Sequence, residues 1–237
     1  MNRQWLSLDR LWALSYIAAC ALLASCVHRL APLVAVALAP GDRGQALAWT
    51  QRTLPGRDTA IRFRFQYEDR RHRWGGRGTA RVAPPDSLRF DYAGPLGLGS
   101  GAAVLVGDSA VWADPEENFR SLVPGVRMLW AALGVVRPPA DSASVLALTV
   151  PQRQIWRFAE GLDTLDYVLT DGAPRTLEAE WRREGKMQAR SRTELDGRAQ
   201  PTRARVDFPE AQARFDLTVV GVDTAAVFAP SLWRSRH

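Results

Sequence analysis

Apolar and polar residues alternate with a period of two through most of this chain, and that alternation limits the fold more than any other feature. In 61–67, Ile61, Phe63, Phe65 and Tyr67 share one face, while Arg62, Arg64 and Gln66 share the other. Leu88, Phe90 and Tyr92 oppose Arg89 and Asp91; Leu177, Ala179 and Trp181 oppose Thr176, Glu178 and Glu180; Phe215, Leu217 and Val219 oppose Arg214, Asp216 and Thr218. A strand turns successive side chains to opposite faces, so this pattern predicts antiparallel strands dry on one side only. Similar segments at 76–82, 101–106, 109–113, 154–158, 164–170, 186–195 and 202–208 bring the expectation to about eleven strands. Turn signals separate them: Gly75-Gly76, Pro84-Pro85-Asp86, Gly107-Asp108, Asp171-Gly172, Glu184-Gly185 and Asp196-Gly197. No fixed-period repeat appears, so propellers and solenoids are not expected.

Helical signal is confined to two places. Val126, Leu129, Trp130 and Leu133 are spaced i, i+3, i+4, i+7 behind Pro124, with Gly134 and then Pro138-Pro139 to end the helix. A second candidate covers 42–54, with Asp42 as its N-cap. Residues 137–144 read as a loop with strands of the same style after it, so one domain is expected over 42–237. Strands dry on one side need a cover. Two stacked sheets would provide it, as would a curled sheet with helices across its mouth. The scarcity of helix and the apolar stripe at 126–133 favour the curled sheet with a helical plug.

The formal net charge of +6 raises nucleic acid as a partner, but every basic residue except Lys186 is Arg, and the arginines are scattered among Asp and Glu. That distribution reflects codon composition and a mixed-charge surface, so no nucleic-acid partner is expected. Catalytic constellations are poor. His28, His72 and His237 lie far apart, Gly97-Leu98-Gly99-Ser100-Gly101 leads into a strand instead of the helix a dinucleotide loop requires, and Asp114, Glu116 and Glu117 read as a solvated turn. The chain is expected to be no enzyme and to carry no cofactor or metal. The aromatic residues fit either a packed core or the lining of an acyl-chain cavity. If the interior leaves a void, Phe63, Phe65, Phe90, Leu129 and Trp130 are the residues expected to face it.

The N-terminus sets the compartment. Arg3 and Arg10 precede an apolar stretch, Leu11–Ala24, that suits a signal core and falls short of the ~20 residues needed to span a bilayer. It ends in Leu23-Ala24-Ser25-Cys26, which resembles the bacterial lipobox. The resemblance implies a signal peptide over 1–25, cleavage before Cys26, acylation of that cysteine with palmitate among its chains, and a lipid-anchored tether over 26–41. Cys20 would leave with the signal, so no disulfide is expected. Val27 lacks the Asp that retains lipoproteins in the inner membrane, which implies export to the outer membrane.

The strand Leu88–Tyr92 runs into Ala93-Gly94-Pro95-Leu96-Gly97, between the strand pair at 61–82 and the helix at 126–133. With the lipobox, this order resembles the LolA/LolB lipoprotein-carrier superfamily, over about residues 45–135, and within it the LolB branch. The resemblance implies an incomplete, half-open antiparallel β-barrel of about eleven strands, with a few helices over its open side and an apolar cavity inside. It implies a monomeric outer-membrane lipoprotein on the periplasmic face. Such a protein receives acylated lipoprotein cargo from a soluble periplasmic carrier and inserts it into the inner leaflet of the outer membrane. The family's membrane-contacting leucine matches Leu96, and the Gly-rich run that follows offers Leu98 as a second. A structural or assembly-factor lipoprotein with a packed core is the alternative. Replacing Cys26 by Ala is expected to release the protein from membranes or leave it unprocessed. Mass spectrometry of the mature N-terminus checks this, since an unmodified protein beginning at another residue would contradict it.

Overall fold

A computed structural model describes residues 31–95, 99–107, 109–114, 125–139 and 144–234. Residues 1–35 and 36–237 form two compact units. Of the first only 31–35 are described, with no helix or strand, and the architecture below is that of the second.

The protein is mainly β. Thirteen strands form one antiparallel sheet: β1 (Ala39–Pro40), β2 (Thr59–Glu68), β3 (Arg73–Ala83), β4 (Ser87–Ala93), β5 (Ser100–Val106), β6 (Ser109–Asp114), β7 (Ser144–Val150), β8 (Arg153–Glu160), β9 (Asp163–Thr170), β10 (Arg175–Arg183), β11 (Lys186–Leu195), β12 (Pro201–Phe208) and β13 (Ala213–Asp223). Their order is β1-β7-β8-β9-β10-β11-β12-β13-β2-β3-β4-β5-β6, so the last strand pairs with the second and β1 and β6 are left as edges. The sheet is open, as expected. All eleven expected segments lie on strands. The two additions are β7, which starts at the end of the stretch read as a loop, and β1, which lies in the stretch read as tether. Val145-Leu146-Ala147-Leu148 does not alternate, and all four residues are half-buried, so period two gives no signal there.

Two helices accompany the sheet among the described residues. In α1 (Arg43–Gln51) the Asp42 side chain accepts from the Gln45 N–H at 2.6 Å, as its N-cap position predicts. The helix α2 (Val126–Ala132) begins after Gly125, and Pro124 lies outside the described residues. Gly134 ends it at φ +80°. Its N–H reaches Ala131 O at 3.0 Å, and the Val135 N–H reaches Trp130 O at 3.0 Å, the paired bonds of a Schellman turn. Only glycine takes that φ without strain.

The apolar faces of β2–β5 and β8–β13 merge with α2 into one core. On β2–β4 its packing depends on small residues opposite large ones. Gly78 stands between Phe63 and Tyr92 in register, and a Cβ there would fall 2.3 Å from the Phe63 ring.

How far the sheet curls is fixed by α2 and the segment after it. Thr193 Oγ1 on β11 donates to Ala131 O at 2.7 Å, while the neighbouring Trp130 donates its indole N–H to Gly107 O in the β5–β6 turn at 3.0 Å. Six strand spacings separate β11 from β5, roughly 29 Å in a flat sheet. Adjacent residues of one helix, ~10 Å across, reach both, so the sheet must bend around it. Arg137 repeats the bridge. Tyr167 Oη on β9 donates to Arg137 O at 2.8 Å and accepts from its N–H at 3.3 Å, while the Arg137 guanidinium donates to Pro85 O at 3.0 Å and lies 5.1 Å from the Trp130 ring centre.

The other face of the sheet accounts for many of the arginines. Arg157, Asp166, Glu180, Arg190, Asp207, Arg214, Glu68 and Arg73 stand directly opposite one another in succession across β8 to β3. Arg157 grips Asp166 at 2.6 and 2.7 Å, and the fully buried Glu180 is held by Arg182 and Arg190. Cross-strand pairs of opposite charge support the register, and burial pushes the Asp207 carboxyl above its ordinary value.

Replacing Tyr167 with Phe removes both bonds to Arg137 and leaves the N–H and C=O of that half-buried residue without this partner. Urea unfolding is expected to show a loss of about 1–3 kcal/mol. Arg205→Ala, which breaks an exposed pair with Asp216, should cost under ~1 kcal/mol. Equal losses would contradict the bridging role.

Candidate functional site

The helix α1 lies across one end of the sheet because its sequence gives it one dry side, Ala46, Trp49 and Thr50. Trp49 packs against Trp156 and Tyr167, with ring centres 6.1 and 6.4 Å away. The chain leaving α1 is tied to the segment after α2, since Thr53 Oγ1 accepts from the Val136 N–H at 2.9 Å. Two helix ends are thereby held over the ends of β8–β13, and they do not fill the space beneath them.

That space is a cavity of about 580 Å³, within the ~300–1,000 Å³ range of small-ligand sites. Trp49, Ile61, Leu133, Val135, Leu169 and Leu195 supply its apolar wall. Arg52, Arg57, Arg175 and Arg198 supply its charge, with Thr53, Gln154 and Gln200 as neutral polar groups. Arg52, Arg57 and Arg198 are exposed. Arg175 Nε lies 2.7 Å from Asp171 Oδ1, an ion pair without hydrogen-bond alignment. The described lining contains no Ser, Cys, His, Asp or Glu, so it offers no nucleophile–base pair and no metal ligand set. The recess presents an apolar wall under a cationic mouth.

Of the residues expected to face a cavity, all five are buried in the common core. Phe63 and Phe90 touch with ring centres 4.9 Å apart, and Phe65 lies 6.4 Å from Phe63. Leu129 and Trp130 come from α2. None of the five is in the lining of the 580 Å³ cavity. Sequence reasoning left Trp49 among the aromatics that fit either core or cavity, and missed Leu133, Val135, Leu169, Leu195 and the four arginines. Of the missed residues Leu133 carried a signal, as the last member of the helical stripe. Cys26, Leu96 and Leu98 lie outside the described residues. The loop holding the two leucines is closed at its base, where the Gly94 N–H donates to Gly99 O at 3.2 Å.

Other titratable groups serve local structure. His72 is exposed, 3.5 Å from Asp69 in the β2–β3 turn. The backbone N–H groups of Arg71 and His72 hold the Asp69 carboxyl below its ordinary value. A second pocket, of about 350 Å³, lies between β3–β4 and the C-terminal turn Pro230–Trp233. Its arginines are engaged: Arg81 and Arg89 both hold Asp91, and Arg89 also donates to Leu232 O at 2.6 Å. Those contacts clamp the C-terminal segment onto the sheet.

Among solved structures, a LolA superfamily protein from Nitrosomonas europaea overlays on this chain with a TM-score of 0.53. It covers 82% of this chain and 99% of its own, at 9% sequence identity. The two chains share a fold. At so low an identity the overlay establishes the fold alone. A domain described as outer membrane lipoprotein-sorting from Vibrio parahaemolyticus (TM-score 0.36, 6% identity, covering 79% of this chain and 94% of its own) and a DUF1329 family protein from Desulfovibrio piger (0.34, 7%, 80% and 95%) overlay more loosely, at scores from which shared architecture does not follow. No family model and no curated protein matches the sequence. In this fold the cavity lies at one end of an open sheet, beneath two short helical covers.

Proposed function

We propose that the protein is an envelope lipoprotein that holds the acyl chains of other lipoproteins in this cavity and passes them to the inner leaflet of the outer membrane. One observation carries the reading: an open LolA-type sheet ends in an apolar-walled recess with no reactive group in its described lining. Burying an acyl chain gains ~0.8 kcal/mol per methylene. A recess with a partly polar mouth competes with water for a chain but holds it less well than a bilayer does, so transfer runs toward the membrane. No covalent step is needed. Packed core without a ligand cavity, the alternative reading, is disfavoured by the recess.

Taking a methylene as comparable in size to a water molecule, whose share of liquid volume is about 30 Å³, 580 Å³ accommodates about one long chain. A diacylglyceryl cysteine has two. Room for the second comes from α2 lifting off the sheet, which would expose Leu129, Trp130 and the Phe63, Phe65 and Phe90 wall to the ligand. In this reading residues 1–25 are a signal peptide, Cys26 carries the anchor and the tether runs from Cys26 toward β1. The monomer faces the periplasm and takes cargo from a soluble carrier. Leu96 and Leu98 reach the membrane from the loop between β4 and β5.

The test pairs uptake with delivery. A fluorescent acyl probe should bind the purified protein and be displaced by an acylated peptide. Leu169→Trp, which fills the recess, should weaken the probe while leaving the unfolding midpoint close to the parent's. Leu96→Glu with Leu98→Glu should retain uptake and fail to deliver labelled lipoprotein to vesicles. A parent protein that binds no probe would overturn the acyl reading, and normal delivery by the double variant would overturn the membrane-contact role.

A further inference from the structure

The arginines of the sheet's other face and those of the cavity are treated differently by the fold. Arg81, Arg89, Arg157, Arg182, Arg183, Arg190, Arg192, Arg205 and Arg214 all hold a carboxylate across or along the strands. At the cavity, Arg52, Arg57 and Arg198 make no ion pair and no side-chain hydrogen bond among the described residues, and only Arg175 has a carboxylate beside it. Asp58, next in sequence to Arg57, lies outside the lining and makes no ion pair among the described residues, while Asp196 and Asp223 are turned to other tasks. Asp196 accepts from the backbone N–H groups of Arg198 and Gln200 at 2.8 and 2.9 Å, so its carboxylate is folded into its own turn. Asp223 accepts from the Ala225 N–H at 3.0 Å.

Three guanidinium groups without an ion pair among the described residues, beside an Arg175 that is paired with Asp171, are set over a wall of Trp49, Leu133, Leu169 and Leu195 and give the lining a net positive charge. Guanidinium groups bind carboxylate and phosphate oxygens through strong, charge-assisted hydrogen bonds. The volume beneath them suits one chain. We infer that the recess is a site for a single-chain anionic amphiphile, its acyl tail against the apolar wall and its carboxylate or phosphate head against Arg52, Arg57 and Arg198. The inference rests on the acyl-cavity reading above and adds a head-group charge and a chain number that the lipoprotein reading does not require. A carboxylate head would come from a free fatty acid and a phosphate head from a lysophospholipid. The two share tail and charge and differ in the number of oxygens offered to the arginines.

Calorimetric titration of the purified protein with laurate, dodecanol and 1-lauroyl lysophosphatidic acid tests it, because the three share tail length and differ in the head. Laurate or the lysophosphatidic acid should bind at least about tenfold more tightly than dodecanol at low salt, the scale of one charged hydrogen bond. The tighter of the two identifies the head as carboxylate or phosphate. The triple variant Arg52→Gln, Arg57→Gln, Arg198→Gln alters exposed side chains only, so an unchanged circular dichroism spectrum and unfolding midpoint are expected. In it the preference should vanish while dodecanol binds as before. Equal affinity for all three in the parent protein, or a preference that survives in the triple variant, would overturn the head-group inference and leave the acyl cavity standing. Binding of none of the three would remove the cavity reading as well.

Discussion

One short helix touches both halves of the sheet at once, and the curl of the sheet depends on it. Trp130 and Ala131 are adjacent in sequence, yet one is hydrogen-bonded to the β5–β6 turn and the other to β11. A sheet with thirteen strands and one dry face cannot leave that face in water, and flattening it would place those two anchors far beyond the reach of a single helix. Curling brings them together and wraps the dry face around α2. Met128, Leu129, Trp130, Ala131 and Ala132 are consequently all buried. An amphipathic helix would bury a stripe, whereas this one is enclosed on nearly every side.

The same bridge explains where the empty space lies. Between its anchors α2 packs chiefly on β10–β12 and shares one buried core with the aromatic residues of β2–β4. Past Gly134 the chain turns away along Val135 and Val136 to meet Tyr167 and Thr53, and the two helix ends cover the strand ends below Leu133 without filling the space. The recess is therefore a product of how the Schellman turn redirects the chain. Its apolar wall continues the core, and its charge comes from the loops after α1 and β11 together with the start of β10. The two chemistries of an amphiphile meet where core and loops meet.

Much of the fold was legible in the sequence because a half-buried strand writes its own period. Phe63, Phe65, Leu177 and Leu217 announced their faces without help from any neighbour. The caps of both helices were equally local, Asp42 for α1 and Gly134 for α2. Val145–Leu148 on β7 stayed hidden because a strand half-buried on both sides does not alternate. The recess was out of reach for a different reason. Its wall takes Trp49 from a helix, Leu133 from a helix end, and Leu169 and Leu195 from two strand ends, and what unites them is register across the sheet, which no local window contains. The aromatic residues named from sequence did converge, with Phe63 and Phe90 in contact, but on the packed part of the interior. Burial was readable from pattern; the difference between a filled interior and an empty one was not.

The most direct test follows the chain itself. With isoleucine, leucine and valine methyls labelled, contacts between a bound lauroyl chain and the protein can be read as nuclear Overhauser effects. The account predicts transfer from the chain methylenes to Ile61, Leu133, Val135, Leu169 and Leu195, and none to the exposed Leu162 or Val220, which lie outside the recess. Contacts confined to Leu162, Val220 or other exposed methyls, with the recess methyls silent, would contradict it.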